Sequence, residues 1–150
     1  MLTHVKPHGA LYNDAVVDGA LADVVVRASK EAAPGTAFVG APGSELEKAA
    51  TRQAVRFVAE AFIDRAYLDN GRLVPRSEAG AVHASIETIA AQAISLAVNQ
   101  NVETQSGAII KVLAETLCIH GDTTGAADAA RAVRDALEQQ GVDVRAVCGR

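Results

Sequence analysis

The sequence predicts an α/β protein built on a parallel sheet, and two observations support this prediction. Short apolar runs typical of buried strands alternate along the chain with segments whose apolar residues recur at helical spacing. Aromatic residues make up only 3% of the 150 residues, so the core must be built mainly from Ala, Val, Leu and Ile, which suits helices packed closely on a sheet. Parallel strands need right-handed crossovers, and the sheet is then either open and doubly wound or part of a barrel.

The composition predicts one globular domain over residues 1–150 and argues against several classes of protein. A hydrophobic content of 49% with a formal charge of -4 is not typical of a long disordered chain. No apolar run reaches the roughly 18 residues of a membrane span, and the first residues lack a signal-peptide pattern, so we expect a cytoplasmic protein with no membrane partner. The 14 basic residues are spread along the chain and form no basic stripe that could neutralise a phosphate backbone, so we expect no nucleic-acid partner.

The first elements of the chain are predicted to be a strand, a loop and a helix. Thr3 to Lys6 is a short strand that stops at Pro7, and it leads into the loop KPHGALYND. A helix follows from about Asp18 to Ala33, where Pro34-Gly35 ends it. Its apolar face is expected to contain Leu21, Val24, Val25 and Ala28.

Two buried strands with a helix between them come next. The apolar run Ala37 to Ala41 and the run Arg56 to Phe62 are both typical of parallel strands. Ser44 and Glu47 have the spacing of a capping box, which predicts a helix that reaches about Ala54. The segment Asp64 to Gly80 shows neither the helical nor the strand periodicity of apolar residues, which indicates a long loop. Long loops in compact domains are often functional.

The remaining residues predict two further helix and strand pairs. Ser85 caps a helix that ends near Asn99, with Ile86, Ile89, Ala93 and Leu96 on its apolar face. A polar turn from Asn101 to Gly107 leads to a strand from Leu117 to His120. Asp122 or Thr123 caps a last helix, which Gly141 ends, and Val142 to Val147 alternates as a final strand. The apolar face of that helix is expected to contain Ala126, Ala130, Val133 and Leu137.

Polar side chains follow three of the predicted strands, and the carboxyl ends of parallel strands meet at the edge where ligands bind. We therefore expect these side chains to converge. They are Lys6, His8, Tyr12 and Asn13 after the first strand, Glu60, Asp64, Arg65 and Tyr67 at the third, and His120 and Asp122 at the fourth. Lys and Arg can hold an anionic group, and a His beside a carboxylate can transfer protons near neutral pH.

Each of these residues also has a simpler interpretation. His120, Gly121 and Asp122 could form only a turn in which the carboxylate caps the next helix. Lys6 and His8 could be solvated loop residues, Asp64 and Arg65 an ordinary ion pair, and Arg72 and Arg76 part of a solvated loop. Glu60 is harder to explain in this way, because it lies in an apolar run and a buried charge is costly without partners.

The sequence contains no common phosphate-loop, hydrolase or zinc motif. GxxxxGK[ST], GxGxxG, GxSxG and HExxH do not occur. His8, His120 and Asp122 are suitable ligand types for a divalent metal, although their spacing matches no closed zinc site. We assign no chemistry to Cys118 and Cys148, and we interpret His4 and His83 as structural.

Five segments together resemble the LamB/YcsF family, which supplies the A subunit of bacterial 5-oxoprolinase. They are HVKPHGALYN, GSELE, EAFIDRAYLDNGRLVPR, GAV and TLCIHGD, in this order along the chain. The resemblance implies an incomplete TIM-like (β/α) barrel of the glycoside hydrolase/deacetylase type. It also implies an ATP-dependent opening of the lactam ring of 5-oxo-L-proline to L-glutamate, together with partner subunits B and C.

The resemblance implies roles for the residues at the strand ends. Phosphorylation of the lactam carbonyl oxygen by ATP would create a leaving group that water can displace, and the following residues would assist. Lys6 and Arg65 would stabilise carboxylate or phosphoryl oxygens, His8 and His120 would move protons, and Glu60, Asp64 and Asp122 would orient them or activate water. Asn13 and Tyr67 would donate hydrogen bonds to the substrate, and Arg76 completes the substrate-binding set.

The acidic and histidine-bearing motifs with which family members begin are absent, so the chain resembles the C-terminal portion of the usual family length. A partial barrel has an open sheet edge, and we therefore expect self-association to a homo-oligomer. Two alternatives to an active 5-oxoprolinase subunit stay open. One is a catalytically silent binding or assembly module that keeps the fold, and the other is an enzyme similar to a carbohydrate deacetylase or hydrolase.

Overall fold

A computed structural model describes residues 2–122 and 125–147 of the chain. These residues form two compact units. The first unit runs to Glu60 and includes residues 146 and 147, and the second comprises residues 61–145.

The first unit consists of short strands and the helices that connect them. In chain order its elements are β1 (His4–Val5), α1 (Gly9–Ala15), α2 (Gly19–Ala32), β2 (Ala37–Gly40), α3 (Glu45–Arg52) and most of β3 (Phe57–Phe62). β1 pairs in parallel with β2, and β2 pairs in parallel with β3. Ala37, Val39 and Val58 form a buried cluster on these strands.

The second unit begins inside β3 and contains two longer helices and a small hairpin. Its elements are α4 (Ile86–Ile94) with a π-helical turn at Ser95–Asn99, β4 (Asn101–Glu103), β5 (Ile109–Lys111), β6 (Thr116–Cys118) and α5 (Ala126–Gln139). β4 and β5 form an antiparallel pair. The main sheet has the strand order β1-β2-β3-β6, so the predicted α/β class with parallel strands is confirmed.

Most of the predicted helices and strands are present because their end signals act as expected. The carboxylate of Asp18 accepts hydrogen bonds from the backbone N–H groups of Ala20 and Leu21 at the start of α2. The hydroxyl of Ser85 accepts one from Thr88 N at the start of α4. In α3 the capping box is shifted at one end, because Glu47 accepts from Gly43 N instead of from Ser44 N.

The predicted loop KPHGALYND is wrong over its second part, where α1 forms. Gly9, Asn13 and Asp14 are poor helix formers, and this composition favours a loop. Tyr12 and Ala15 lie one helical turn apart and are both buried. Burial of these two side chains therefore outweighs the local propensity.

The predicted final strand at Val142 to Val147 is also wrong, since none of these residues lies in a strand. Val147 packs instead against the cluster of Ala37, Val39 and Val58, and its carbonyl accepts a hydrogen bond from the guanidinium of Arg56. An alternating pattern shows that one face is apolar, but it does not provide the neighbouring strand that a ladder needs.

Three further predictions need correction. The predicted polar turn from Asn101 to Gly107 contains β4 and leads into the hairpin with β5. The cap of α5 is Gly125 rather than Asp122, and Thr123 lies outside the described residues. Two of the predicted apolar faces are displaced: Val24 and Ala28 are exposed while Ala22 and Val26 are buried, and in α5 Ala129 is buried instead of Ala130.

The long loop from Asp64 to Gly80 has a compact structure of its own. Single bridges join Arg65 to Val82 and Tyr67 to Leu73. Ala66, Val74 and Ala81 form a small buried cluster against which Leu68 packs. The loop is therefore held in place by side-chain burial without a regular element.

Within the part of the chain that the structure describes, none of the helices has the length and apolar character needed to cross a membrane.

Candidate functional site

Lys6 and Glu60 form a partly buried ion pair in the first unit. Lys6 directly follows β1 and Glu60 lies in β3, where the side chain is 2% exposed. The ammonium group of Lys6 donates to Oε2 of Glu60 and lies 6.0 Å from the centre of the Tyr12 ring. Oε1 of Glu60 is buried and has no hydrogen-bond partner among the described residues. The pair therefore neutralises the charge but leaves one acceptor unsatisfied.

The other predicted residues of this unit lie on or beside α1. His8 is the N-cap residue of α1, and its exposed side chain makes no capping hydrogen bond. Asn13 is also exposed, whereas Tyr12 is buried. His8 and Asn13 are thus accessible to a ligand, and their assignment to the site stays a prediction.

Asp64 and His120 form the closest contact between predicted site residues in the second unit. The carboxylate of Asp64 is 3% exposed and accepts two hydrogen bonds from His120. The backbone N–H of His120 lies 2.9 Å from Oδ2, and the ring nitrogen Nδ1 lies 2.8 Å from Oδ2 and 3.1 Å from Oδ1. The imidazole also stacks on Phe62, with ring centres 5.6 Å apart. Backbone, carboxylate and aromatic ring together fix the orientation of His120.

A small cavity lies beside this pair. It has a volume of about 20 Å³, enough for a water molecule, and its wall includes Asp64, His120, His83 and Ile89. Because a carboxylate can only accept hydrogen bonds, Nδ1 of His120 carries the proton in this contact. In its neutral form the ring then has its lone pair on Nε2, which is the arrangement of an oriented general base.

Arg65 and Tyr67, two predicted substrate-binding residues, are engaged in holding the backbone. The buried guanidinium of Arg65 donates to the carbonyls of Ala81 and Val74 at 3.0 and 2.6 Å. Burial is the main reason why the pKa of Arg65 is lowered, and the nearby charge of Arg76 adds to it. The hydroxyl of Tyr67 accepts a hydrogen bond from Phe62 N at 2.7 Å.

Asp122 and Arg76 meet in a surface ion pair. The distance between the guanidinium and the carboxylate is 3.1 Å, and both side chains are about half exposed or more. The hydrogen bond from Arg76 lowers the pKa of Asp122 below its ordinary value. Asp122 lies three positions before Gly125, which is the N-cap residue of the following helix.

Gln92 is not among the predicted site residues, although it contacts the turn that carries Asp64. Its side-chain nitrogen lies 2.8 Å from the carbonyls of Phe62 and Arg65. Its oxygen lies 3.1 Å from Nε2 of His83, for which the sequence predicts a structural role. A polar side chain in the buried face of a predicted helix is the only signal that could have indicated Gln92.

The structure thus joins the predicted residues in three pairs, Lys6 with Glu60, Asp64 with His120 and Arg76 with Asp122. Convergence of all the predicted residues at one edge concerns both units and stays a prediction. Among residues 2–122 and 125–147, no three His, Cys, Asp or Glu side chains are grouped as metal ligands would be. The assignment of a divalent metal to His8, His120 and Asp122 stays a prediction.

Comparison with known proteins identifies relatives over nearly the whole chain. The A subunit of 5-oxoprolinase from Thermus thermophilus is 48% identical over 145 residues, and that from Nocardia farcinica is 44% identical. The crystal structure of the lactam utilization protein from a second Thermus thermophilus strain matches with a TM-score of 0.89 at 44% identity. Each match covers 97% of this chain but only 58% of the relative, so the chain spans less than two thirds of their length.

The LamB/YcsF family pattern matches residues 1–149. Together with the relatives at 43% to 48% identity, this match confirms the resemblance carried by the five sequence segments. The four-stranded order β1-β2-β3-β6 agrees with an incomplete parallel barrel. The chain belongs to the LamB/YcsF family.

Proposed function

We propose that this chain acts as the A subunit of an ATP-dependent 5-oxoprolinase, which opens 5-oxo-L-proline to L-glutamate. The names of its relatives support this proposal, since each is the A subunit of a 5-oxoprolinase, and the structural neighbour is a lactam utilization protein. Such a name implies that other subunits complete the enzyme, and we propose that these are subunits B and C.

The observation that supports a hydrolytic role best is the contact between Asp64 and His120. Opening a lactam requires a base that removes a proton from water and then an acid that protonates the leaving nitrogen. His120 is held by Asp64 with its proton on Nδ1, so Nε2 can accept a proton and later return it. The side chain of His120 is 27% exposed, which allows water to reach the ring.

Lys6 and Glu60 are proposed to bind the polar groups of the lactam. The ammonium group of Lys6 can stabilise negative charge that develops on the carbonyl oxygen. Oε1 of Glu60 lacks a donor among the described residues, and the N–H group of a lactam is a donor of the required kind. This role for Glu60 would explain why a buried carboxylate oxygen is left without a partner.

ATP would supply the activation of the lactam carbonyl, but the described residues do not fit a nucleotide at the Asp64 and His120 pair. The cavity there has about 20 Å³, far less than a nucleotide occupies, and the sequence has no glycine-rich phosphate loop. We therefore propose that ATP is bound through the complex and assign no nucleotide contact to this cavity. A divalent metal is likewise proposed as a requirement of the complex rather than of this cavity.

Two other expectations remain as proposals. We propose a cytoplasmic location, as expected from the sequence. Self-association is supported by β1, which pairs with β2 and forms one end of the strand order. Light scattering at tens of micromolar should show a dimer or a larger oligomer, and a stable monomer would contradict this proposal.

The proposed function is tested by mixing the protein with subunits B and C, ATP and 5-oxo-L-proline and measuring glutamate. We expect glutamate to form, and we expect His120→Ala to lower turnover at least about 10²-fold because a general base is lost. His4→Ala is the matched control, because His4 is an exposed imidazole that bonds to neighbouring Thr3. Full turnover by His120→Ala would contradict the assignment, whereas binding to the partners without any glutamate would favour a silent assembly module.

A further inference from the structure

The turn that carries Asp64 follows β3 directly. The carbonyls of Phe62, the last residue of β3, and of Arg65 lie 2.8 Å from Nε2 of Gln92, and the carbonyl of Ile63 lies 3.3 Å from the same nitrogen. The carbonyl of Asp64 itself accepts from His83 N at 2.9 Å. Four consecutive carbonyls are thus satisfied by one side chain and one backbone N–H.

These contacts determine which way the amide of Gln92 points. Carbonyl oxygens only accept hydrogen bonds, so the end of the amide that faces the turn must be the NH₂ group. The oxygen Oε1 then faces Nε2 of His83 at 3.1 Å. Because Oε1 also only accepts, Nε2 of His83 must carry a proton, and in the neutral form of the ring the lone pair lies on Nδ1.

The two imidazoles of the cavity are therefore held in opposite tautomers. His120 donates from Nδ1 to Asp64, and His83 donates from Nε2 to Gln92. Both rings line the same cavity of about 20 Å³ together with Asp64. Gln92 contacts both sides of this arrangement, through the turn that carries Asp64 and through His83.

We propose that Gln92 is a positioning residue for the Asp64 and His120 pair, and that it also holds His83 as the Nε2–H tautomer. Without the amide, the hydrogen bonds from Gln92 to the carbonyls of Phe62 and Arg65 are lost, and the turn that aims Asp64 at His120 relaxes. The effect of this positioning role on catalysis rests on the proposed function, but the contacts of Gln92 do not. Positional errors of about 1 Å can lower turnover roughly 10²-fold, so such a residue affects chemistry without touching the substrate.

The first test is the ring-nitrogen NMR spectrum of the unaltered protein. We expect His83 to show a protonated Nε2 and an unprotonated Nδ1, and His120 to show the reverse. The opposite tautomer at His83 would overturn the proposal directly, with no need for a variant.

The second test compares Gln92→Met with Gln105→Met in the same spectrum. Methionine keeps the length of the side chain but has no amide, so His83 should lose its single tautomer and the ring and backbone signals of His120 should shift. Gln105 is the matched control, because its exposed amide donates to the carbonyl of Ala79. Unchanged His120 signals in a folded Gln92→Met would overturn the proposal.

A third variant keeps the proposal testable if Gln92→Met does not fold. Gln92→Glu keeps an acceptor for His83 but removes the NH₂ donors, so the His120 signals should still shift while Nε2 of His83 stays protonated. In the complex with subunits B and C, this variant should lower kcat about 10²-fold with little change in KM. If the His120 signals shift in the variant but even the unaltered protein shows no activity in the complex, the positioning role is supported. Only the proposed function is then contradicted.

Discussion

Two buried carboxylates of the molecule are hydrogen-bonded in different ways, that of Glu60 by Lys6 and that of Asp64 by His120. Glu60 is 2% exposed, shares one oxygen with Lys6 and leaves the other without a partner among the described residues. Asp64 is 3% exposed, and both of its oxygens lie within hydrogen-bond distance of His120. The first carboxylate has one oxygen without a donor, whereas both oxygens of the second contact His120.

This difference indicates which pair serves binding and which serves orientation. A buried acceptor without a donor costs about 1–3 kcal/mol, so it persists where a ligand or a further group supplies the donor. A carboxylate whose oxygens are all engaged fixes the tautomer and direction of its partner. Variants of these residues and their neighbours test the distinction, beginning with the largest expected effect.

Lys6→Met should have the largest effect on stability. It leaves the charge of Glu60 buried without compensation, which typically lowers the free energy of unfolding by about 3–5 kcal/mol. Urea unfolding measures this loss, and Lys6→Met combined with Glu60→Leu should recover much of it because no charge remains buried. A double variant as unstable as Lys6→Met would show that the ion pair is not the cause.

Arg65→Met tests whether the residues that follow Asp64 are rigidly held. The buried guanidinium bonds to the carbonyls of Val74 and Ala81, and each carbonyl left without a donor costs about 1–3 kcal/mol. Hydrogen exchange should accelerate at the amides of Ala66 and Val74, which bond within the same loop. Unchanged exchange at both amides would mean that the loop keeps its structure without Arg65.

Ser44→Ala measures how much the free energy of unfolding falls when an ordinary helix cap of the first unit is lost. The hydroxyl of Ser44 accepts from Glu47 N at the start of α3, and loss of such a cap costs typically about 1 kcal/mol. If urea unfolding gives the same loss for Ser44→Ala and Lys6→Met, the buried pair has no special cost and the comparison with Asp64 fails.

Arg76→Met should have the smallest effect on stability, because its ion pair with Asp122 is exposed. The hydrogen bond from Arg76 lowers the pKa of Asp122, so the associated stabilisation is present above the ordinary pKa of about 3.9 and is lost as pH falls through the folded-state value. Carboxyl NMR titration should show the pKa of Asp122 returning toward its ordinary value in Arg76→Met. An unchanged titration curve would contradict this cause.

The strands of the main sheet and the residues at their ends were predictable from the sequence, because both depend on local patterns. Apolar runs between turn residues indicate β2 and β3, and a charged residue such as Glu60 in such a run stands out. Because the carboxyl ends of parallel strands lie at one edge of a sheet, the sequence predicts that the polar residues after these strands lie near one another. It does not predict which of them form pairs.

The partners of these residues were not predictable, because they depend on contacts between distant segments. Asp64 and His120 are 56 positions apart, and Gln92 reaches the same turn from a separate helix. Likewise, α1 forms because Tyr12 and Ala15 are buried, which no local propensity reveals. Sequence patterns therefore identified the acid and base candidates, whereas the contacts of Gln92 with the turn and with His83 were visible only in the folded structure.

The most direct test of the central claim is turnover of the complex with Asp64→Asn, His120→Ala and the double variant. If Asp64 acts by orienting His120, the double variant should be no slower than the slower single variant, because the two residues work as one unit. Losses that multiply in the double variant would contradict this account, since they would mean that Asp64 and His120 act independently.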